Sequence, residues 1–188
     1  MKLVILDRDG VINEDSDDYI KSPAEWRPIA GSLEAIVKLK HAGFRVVVAS
    51  NQSGLARGLF DYDTLFAIHD KMSRMLADLG CQLDGIFFCP HGPDEGCACR
   101  KPKTGLLEDI ARRFGRSISG VPFVGDSPSD LDAARTAGAQ PILVRTGKIG
   151  PDNRNAAVRD AAVYLDLATA ADALVEQQAS RKRKKNNA

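Results

Sequence analysis

Long apolar runs are missing from this sequence. No segment approaches the roughly 18 consecutive apolar residues of a membrane-spanning helix. The apolar run 3–6 is too short for a signal-peptide core and is ended by charge at Asp7. A cytoplasmic protein with no membrane partner is the expectation. An excess of charge is missing too, since 26 Lys and Arg face 25 Asp and Glu. Five of the positive charges sit together at 181–185, so the rest of the chain has 21 against 25 and is net acidic. That balance argues against a nucleic-acid partner, whose phosphates select for basic surfaces.

Cysteine is scarce, with four in 188 residues, and no disulfide framework is implied. A chain of this length buries about two thirds of its unfolded surface and needs no such staple. Three of the four, Cys89, Cys97 and Cys99, fall close together with His91 in a loop that also holds Gly92, Pro93 and Gly96, while Cys81 stands alone. In a reducing compartment the cluster favours a metal over disulfides. Three thiolates and one imidazole satisfy tetrahedral Zn²⁺ with no open position, which makes the site structural.

What the sequence does have is short, continuous apolar runs at 3–6, 44–49, 85–89, 121–124 and 141–144. Between them apolar residues recur three or four apart, as in Leu33, Ile36, Val37 and Leu39, in Leu65, Ile68, Met72, Leu76 and Leu79, and in Leu106, Leu107, Ile110 and Phe114. Alternation of this kind predicts an α/β fold, a doubly wound Rossmann-like parallel sheet covered by helices on both faces, without a large cap domain. Residues 1–179 are expected to form a single domain, and 180–188 a basic, disordered tail. In such sheets ligands bind beyond the carboxyl ends of the strands. The residues there are polar: Asp7 and Asp9, Ser50-Asn51-Gln52, Cys89-Pro90-His91, and Gly125-Asp126-Ser127.

Two carboxylates two residues apart raise each other's pKa unless a cation offsets their repulsion. With Asp126 they offer the hard oxygen ligands that suit Mg²⁺ and phosphoryl chemistry. Taken singly, Asp7-Arg8-Asp9-Gly10 reads equally well as a polar turn or a fragment of a Ca²⁺ loop. In combination, Asp7-Arg8-Asp9-Gly10-Val11, Ser50, Lys101 and Gly125-Asp126-Ser127-Pro128-Ser129-Asp130 resemble, in order, the four motifs of the haloacid dehalogenase superfamily of phosphatases. The resemblance covers residues 1 to about 150. It implies Asp7 as nucleophile, Asp9 as general acid and base, Ser50 and Lys101 as phosphoryl-binding groups, and Mg²⁺ held by Asp7, Asp9 through its carbonyl, and Asp126. Asp130 reads either as a positioning group or as a plain helix cap.

Within the superfamily, the zinc loop running into Cys99-Arg100-Lys101-Pro102 resembles two groups, phosphatases of a heptose bisphosphate and of histidinol phosphate. The segment Ser50-Asn51-Gln52-Ser53-Gly54-Leu55-Ala56-Arg57-Gly58 is more similar to the heptose group. The expected substrate is therefore a small phosphorylated sugar, bound by Asn51, Gln52, Ser53, Arg57 and Arg100, and the protein a monomer. With no cap domain, specificity should come from the loops 13–26 and 50–58 and the zinc loop. Trp26 is expected to pack beneath the first of these, and the acidic run 14–18 either to meet sugar hydroxyls or to be a solvated loop.

Overall fold

The computed structural model describes residues 2–149, 158 and 160–186. Its elements are β1 (Lys2–Leu6), α1 (Ser32–His41), β2 (Phe44–Asn51), α2 (Tyr62–Asp78), β3 (Gly85–Cys89), α3 (Gly105–Phe114), β4 (Pro122–Gly125), α4 (Pro128–Thr136), β5 (Gln140–Val144), β6 (Ala162–Tyr164) and α5 (Leu167–Asn186). The strands form one sheet in the order β3-β2-β1-β4-β5-β6, with every pairing parallel. Strand order reverses between β1 and β4, where a crevice opens at the strands' carboxyl ends.

Alternation along the strands sends side chains to opposite faces of the sheet. Val4, Leu6, Val46, Val48, Val124 and Ile142 meet α1, α2 and α5 through Ile36, Leu39, Ile68, Met72, Ala170 and Leu174. Leu3, Ile5, Val47, Ala49 and Phe123 meet α3 and α4 through Leu107, Ile110, Ala133 and Ala134. Both faces are covered, which is why these strands read as unbroken apolar runs. The α/β expectation holds.

The structure adds two elements, β6 and α5. Strand β6 is three residues long with half-exposed ends, too short for a pattern search to separate from loop. Helix α5 packs Leu167, Ala170, Ala171 and Leu174 into the core and continues through Asn186, so the described part of the segment expected to be a disordered tail is helical. Ala, Gln, Lys and Arg are all strong helix formers, and the helix is already nucleated against α1. Residues 187 and 188 lie outside the described residues. Among the described residues no helix is long and apolar enough to cross a membrane.

The 13–26 loop is tied down from below. Trp26 is fully buried, Lys71 Nζ on α2 donates to the carbonyls of Pro23 (2.6 Å) and Trp26 (2.7 Å), and its ammonium lies 5.7 Å from the Trp26 ring. The indole is thus a packing residue. Ile36, fully buried between α1 and the sheet, tests the core: Ile36→Ala should cost about 2–5 kcal/mol, read as a lower midpoint in urea unfolding with an unchanged m-value.

Candidate active site

Asp7 leaves β1 and Asp126 leaves β4, the two strands at the reversal, and their backbones touch through Asp7 N donating to Val124 O at 2.8 Å. Gly10 makes the approach possible. Its φ is +76°, and a Cβ there would fall 2.5 Å from Asp126 Oδ2, so glycine satisfies both the left-handed turn and the close contact.

The carboxyl oxygens of Asp7, Asp126 and Asp130 lie within 4.8 Å of one another, all buried. Burial pushes Asp126 up to about 7, with help from the neighbouring Asp130 charge. Burial also raises Asp7 well above the ordinary carboxylate range, against the pull of Lys101. Crowded, dry oxygens with strained proton affinities are the donor set a hard divalent cation fits.

Lys101 enters from the loop after the Cys and His cluster and is 3% exposed. Its Nζ lies 2.9 Å from Asp7 Oδ1 and 2.6 Å from Asp130 Oδ1, and donates to Ala49 O at 2.8 Å. Three oxygens thus lie within 2.9 Å of the ammonium, two of them from carboxylates. Burial would lower its pKa, but Asp130 and Asp7 more than offset this and hold it above the ordinary lysine value. Asp130 does both things foreseen for it: Oδ1 meets Lys101, while Oδ2 accepts from Ser127 N (3.1 Å) at the start of α4.

Asp9 is not one of the three clustered carboxylates. Its carboxylate accepts from Arg8 Nε (3.1 Å) and Nη2 (3.0 Å), Asn13 Nδ2 (2.8 Å) and Gln52 Nε2 (2.8 Å). Burial would raise its pKa, yet the Arg8 charge and these donors hold it below the usual value. Gln52 Nε2 also donates to Ser50 Oγ at 2.7 Å, which leaves the serine's own proton to point elsewhere.

The cleft over these groups is about 300 Å³ and is lined by Asp7, Asp9, Ser50, Asn51, Gln52, Ser53, Arg100, Lys101 and Asp126, with a rim of Asp15, Asp17, Tyr19 and Lys148. Lys148 Nζ lies 2.8 Å from both Asp15 and Asp17 and straps the acidic loop to the loop after β5. A wider cleft of about 660 Å³ opens beside it, but its lining carries Asp61 and Glu95 and no lysine or arginine to hold a phosphate.

Cys89, His91, Cys97 and Cys99 come together as their spacing predicts. Cys89 Sγ lies 3.1 Å from Cys99 Sγ, 3.6 Å from Cys97 Sγ and 3.5 Å from His91 Nδ1, and His91 Nδ1 lies 3.2 Å from Cys99 Sγ. A tetrahedron with Zn–S near 2.3 Å has edges of about 3.8 Å, so the four atoms are spaced to share one ion. Without one, burial and the Cys99 contact push the Cys89 thiol up to about 12. The loop reaches the cleft through Arg100 Nη1, which donates to His91 O at 3.3 Å.

The sequence pattern of the HAD-hydrolase-like family matches residues 98–170. The D-glycero-β-D-manno-heptose-1,7-bisphosphate 7-phosphatase of Bordetella bronchiseptica is 63% identical over 147 residues, 78% of this chain and 82% of that protein. This chain belongs to the HAD-like phosphatases. The Pseudomonas putida protein of the same name is 51% identical over 175 residues, 93% of this chain and the whole of that one. The crystal structure of the B. bronchiseptica D,D-heptose 1,7-bisphosphate phosphatase, complexed with magnesium and phosphate, matches with a TM-score of 0.90 at 55% identity, covering 94% of this chain and 99% of that one.

Of the residues expected at the substrate, Asn51, Gln52, Ser53 and Arg100 line the cleft. Arg57 is exposed and does not line the cleft; its guanidinium lies 5.9 Å from the ring of Tyr19, which does. Asn51 lines the cleft, but its side chain clasps the Lys101 backbone, donating to O (3.1 Å) and accepting from N (3.0 Å). The acidic run contributes Asp15 and Asp17 to the Lys148 strap. Arg8 and His69, buried beside Asp9, were not singled out in the sequence; a charged residue inside the Asp7–Asp9 motif was the one available signal.

The raised pKa of Asp126 has a measurable consequence. Unfolded, this group loses its proton near pH 4, whereas folded and without a cation it holds it to about 7. Stability from this group is therefore lost as pH rises through that window. Mg²⁺ should offset the loss, so its addition is expected to raise Tm more at pH 8 than at pH 5 in thermal melts; equal increments would contradict this.

Proposed function

We propose that this phosphatase removes the 7-phosphate of D-glycero-β-D-manno-heptose 1,7-bisphosphate, in the cytoplasm, through an aspartyl-phosphate on Asp7. Support comes from the names of the relatives, from identities of 63% and 51%, and from the meeting of Asp7, Asp126, Lys101 and Ser50 in one cleft. That convergence is the observation that carries the reading.

Asp7 Oδ1 is engaged by Arg8 N (2.8 Å) and Lys101, leaving Oδ2 as the attacking oxygen. Lys101 and the Ser50 hydroxyl, whose oxygen already accepts from Gln52, bind phosphoryl oxygens and take up charge as the phosphorus is transferred. Asp7 and Asp126, with the Asp9 carbonyl, would hold Mg²⁺, which neutralises the repulsion between nucleophile and phosphate. Asp9 gives a proton to the leaving alkoxide and draws one from the water that hydrolyses the acyl-phosphate. Held as a carboxylate at rest, it is in the form the second half needs. An arriving phosphate dianion raises its proton affinity, so that it takes up from solvent the proton it gives in the first half.

Cys89, His91, Cys97 and Cys99 would hold Zn²⁺, and the loop they tie sets Arg100 at the rim, a fork suited to the substrate's other phosphate. Three free thiols in one cluster suit a reducing cytoplasm.

Asp7→Asn is expected to lower kcat by about four orders of magnitude and to abolish trapping of the phosphoenzyme; retained turnover would refute the covalent route. Cys97→Ala should lose one zinc per chain by metal analysis, lower Tm by more than about 5 °C and reduce turnover. Comparison of kcat/KM for the β and α anomers of the heptose bisphosphate and for histidinol phosphate tests the substrate. A preference for histidinol phosphate would overturn it.

A further inference from the structure

Arg8 occupies an unusual place for a guanidinium. It is 1% exposed, sits between Asp7 and Asp9 in sequence, and lines the cleft with its guanidinium already engaged. Its Nε and Nη2 face Asp9, and Nη2 also donates to Gln52 Oε1 at 3.1 Å. The remaining nitrogen, Nη1, lies 3.3 Å from His69 Nε2 on α2. His69 is itself 7% exposed, with its ring against Phe88 at 5.9 Å between centroids.

We propose that His69 is a positioning residue for the proton-transferring carboxylate: by accepting from Arg8 Nη1 it fixes the guanidinium so that the Nε and Nη2 edge addresses Asp9. The inference rests on the reading of Asp9 as the acid and base.

The chemistry at this point requires an uncharged acceptor. Arg8 has only protons to offer, so Nε2 must be the unprotonated nitrogen and the ring proton resides on Nδ1. Burial and the Arg8 charge keep the imidazole neutral, with its pKa lowered to about 4. A carboxylate here would compete for the guanidinium and weaken its hold on Asp9. An apolar side chain would leave a buried N–H without a partner, a cost the arginine can escape only by turning away from Asp9. A neutral imidazole satisfies Nη1 and leaves the cation's charge to Asp9. The path from His69 to the cleft is short: Arg8 to Asp9, then Gln52, which joins Asp9 Oδ2 to Ser50 Oγ.

The test separates proton transfer from general disruption. His69→Phe keeps the ring's bulk beside Phe88 and removes the acceptor; His69→Gln restores an acceptor. In a folded His69→Phe protein, kcat for the sugar phosphate should fall at least about 10-fold with KM changed less than about 2-fold, and His69→Gln should recover most of it. With p-nitrophenyl phosphate, whose phenolate leaves without needing a proton, the first-turnover burst should keep its wild-type rate while later turnovers slow. An unchanged kcat for the sugar phosphate, or a burst slowed as much as the sugar-phosphate reaction, overturns the proposal.

Should His69→Phe fail to fold, the intact protein decides, because the ¹⁵N resonance of His69 Nε2 must be that of an unprotonated, hydrogen-bonded nitrogen from pH 6 to 8, and a protonated Nε2 overturns the proposal. Asp9→Asn distinguishes the two levels. If it retains turnover, the acid and base reading fails and the proposal with it; if it is inactive while His69→Phe is unaffected, only the positioning role fails.

Discussion

Lys101 carries its charge into the nearly buried floor of the cleft, and three separate parts of the chain meet on its ammonium. Asp7 comes from the end of β1, Asp130 from the first turn of α4, and the carbonyl of Ala49 from β2. An ammonium so surrounded is stable only while its carboxylate partners stay in place, since a buried charge that loses them is uncompensated. The surrounding structure follows from that condition. Asn51 clasps the lysine's backbone from both sides, Ser127 fixes the other oxygen of Asp130, and the Cys and His cluster anchors the loop from which the lysine enters.

The sheet supplies the place for this meeting. Strand order reverses between β1 and β4, so the loops that leave these strands diverge and a crevice opens between them. Asp7 and Asp126 stand on its two sides, close enough that only glycine fits at position 10. Without a cap domain, the crevice is bounded by loops held by ordinary contacts: Lys71 under Trp26, Lys148 across Asp15 and Asp17, and Arg57 over Tyr19.

Legibility in the sequence divided along a physical line. Continuous apolar runs bounded by polar residues located five of the six strands, because a parallel sheet buried on both faces leaves that trace; β6, short and at the edge, leaves none. Four metal-type ligands at close spacing announced their cluster. Residues whose task is to hold others were harder to recognise. Asn51 and Gln52 stand in a segment that resembles a substrate loop, yet their amides are taken up by Lys101, Asp9 and Ser50. His69 sits at a helical core position, where an apolar side chain would have given the same pattern.

The sequence by itself determined the class of fold, the placing of carboxylates just after the strands and the presence of a thiol and imidazole cluster, since each depends on residue type and on spacing over a few positions. Only the tertiary structure decided which groups share a charge. Whether Asp130 is a cap or a partner of Lys101, whether Asp9 rests ionised, and which nitrogen of Arg8 meets His69 are matters of distance and burial between segments 29 to 61 residues apart. No local pattern encodes them, because the energy of a buried charge is fixed by whatever the fold brings within about 3 Å of it.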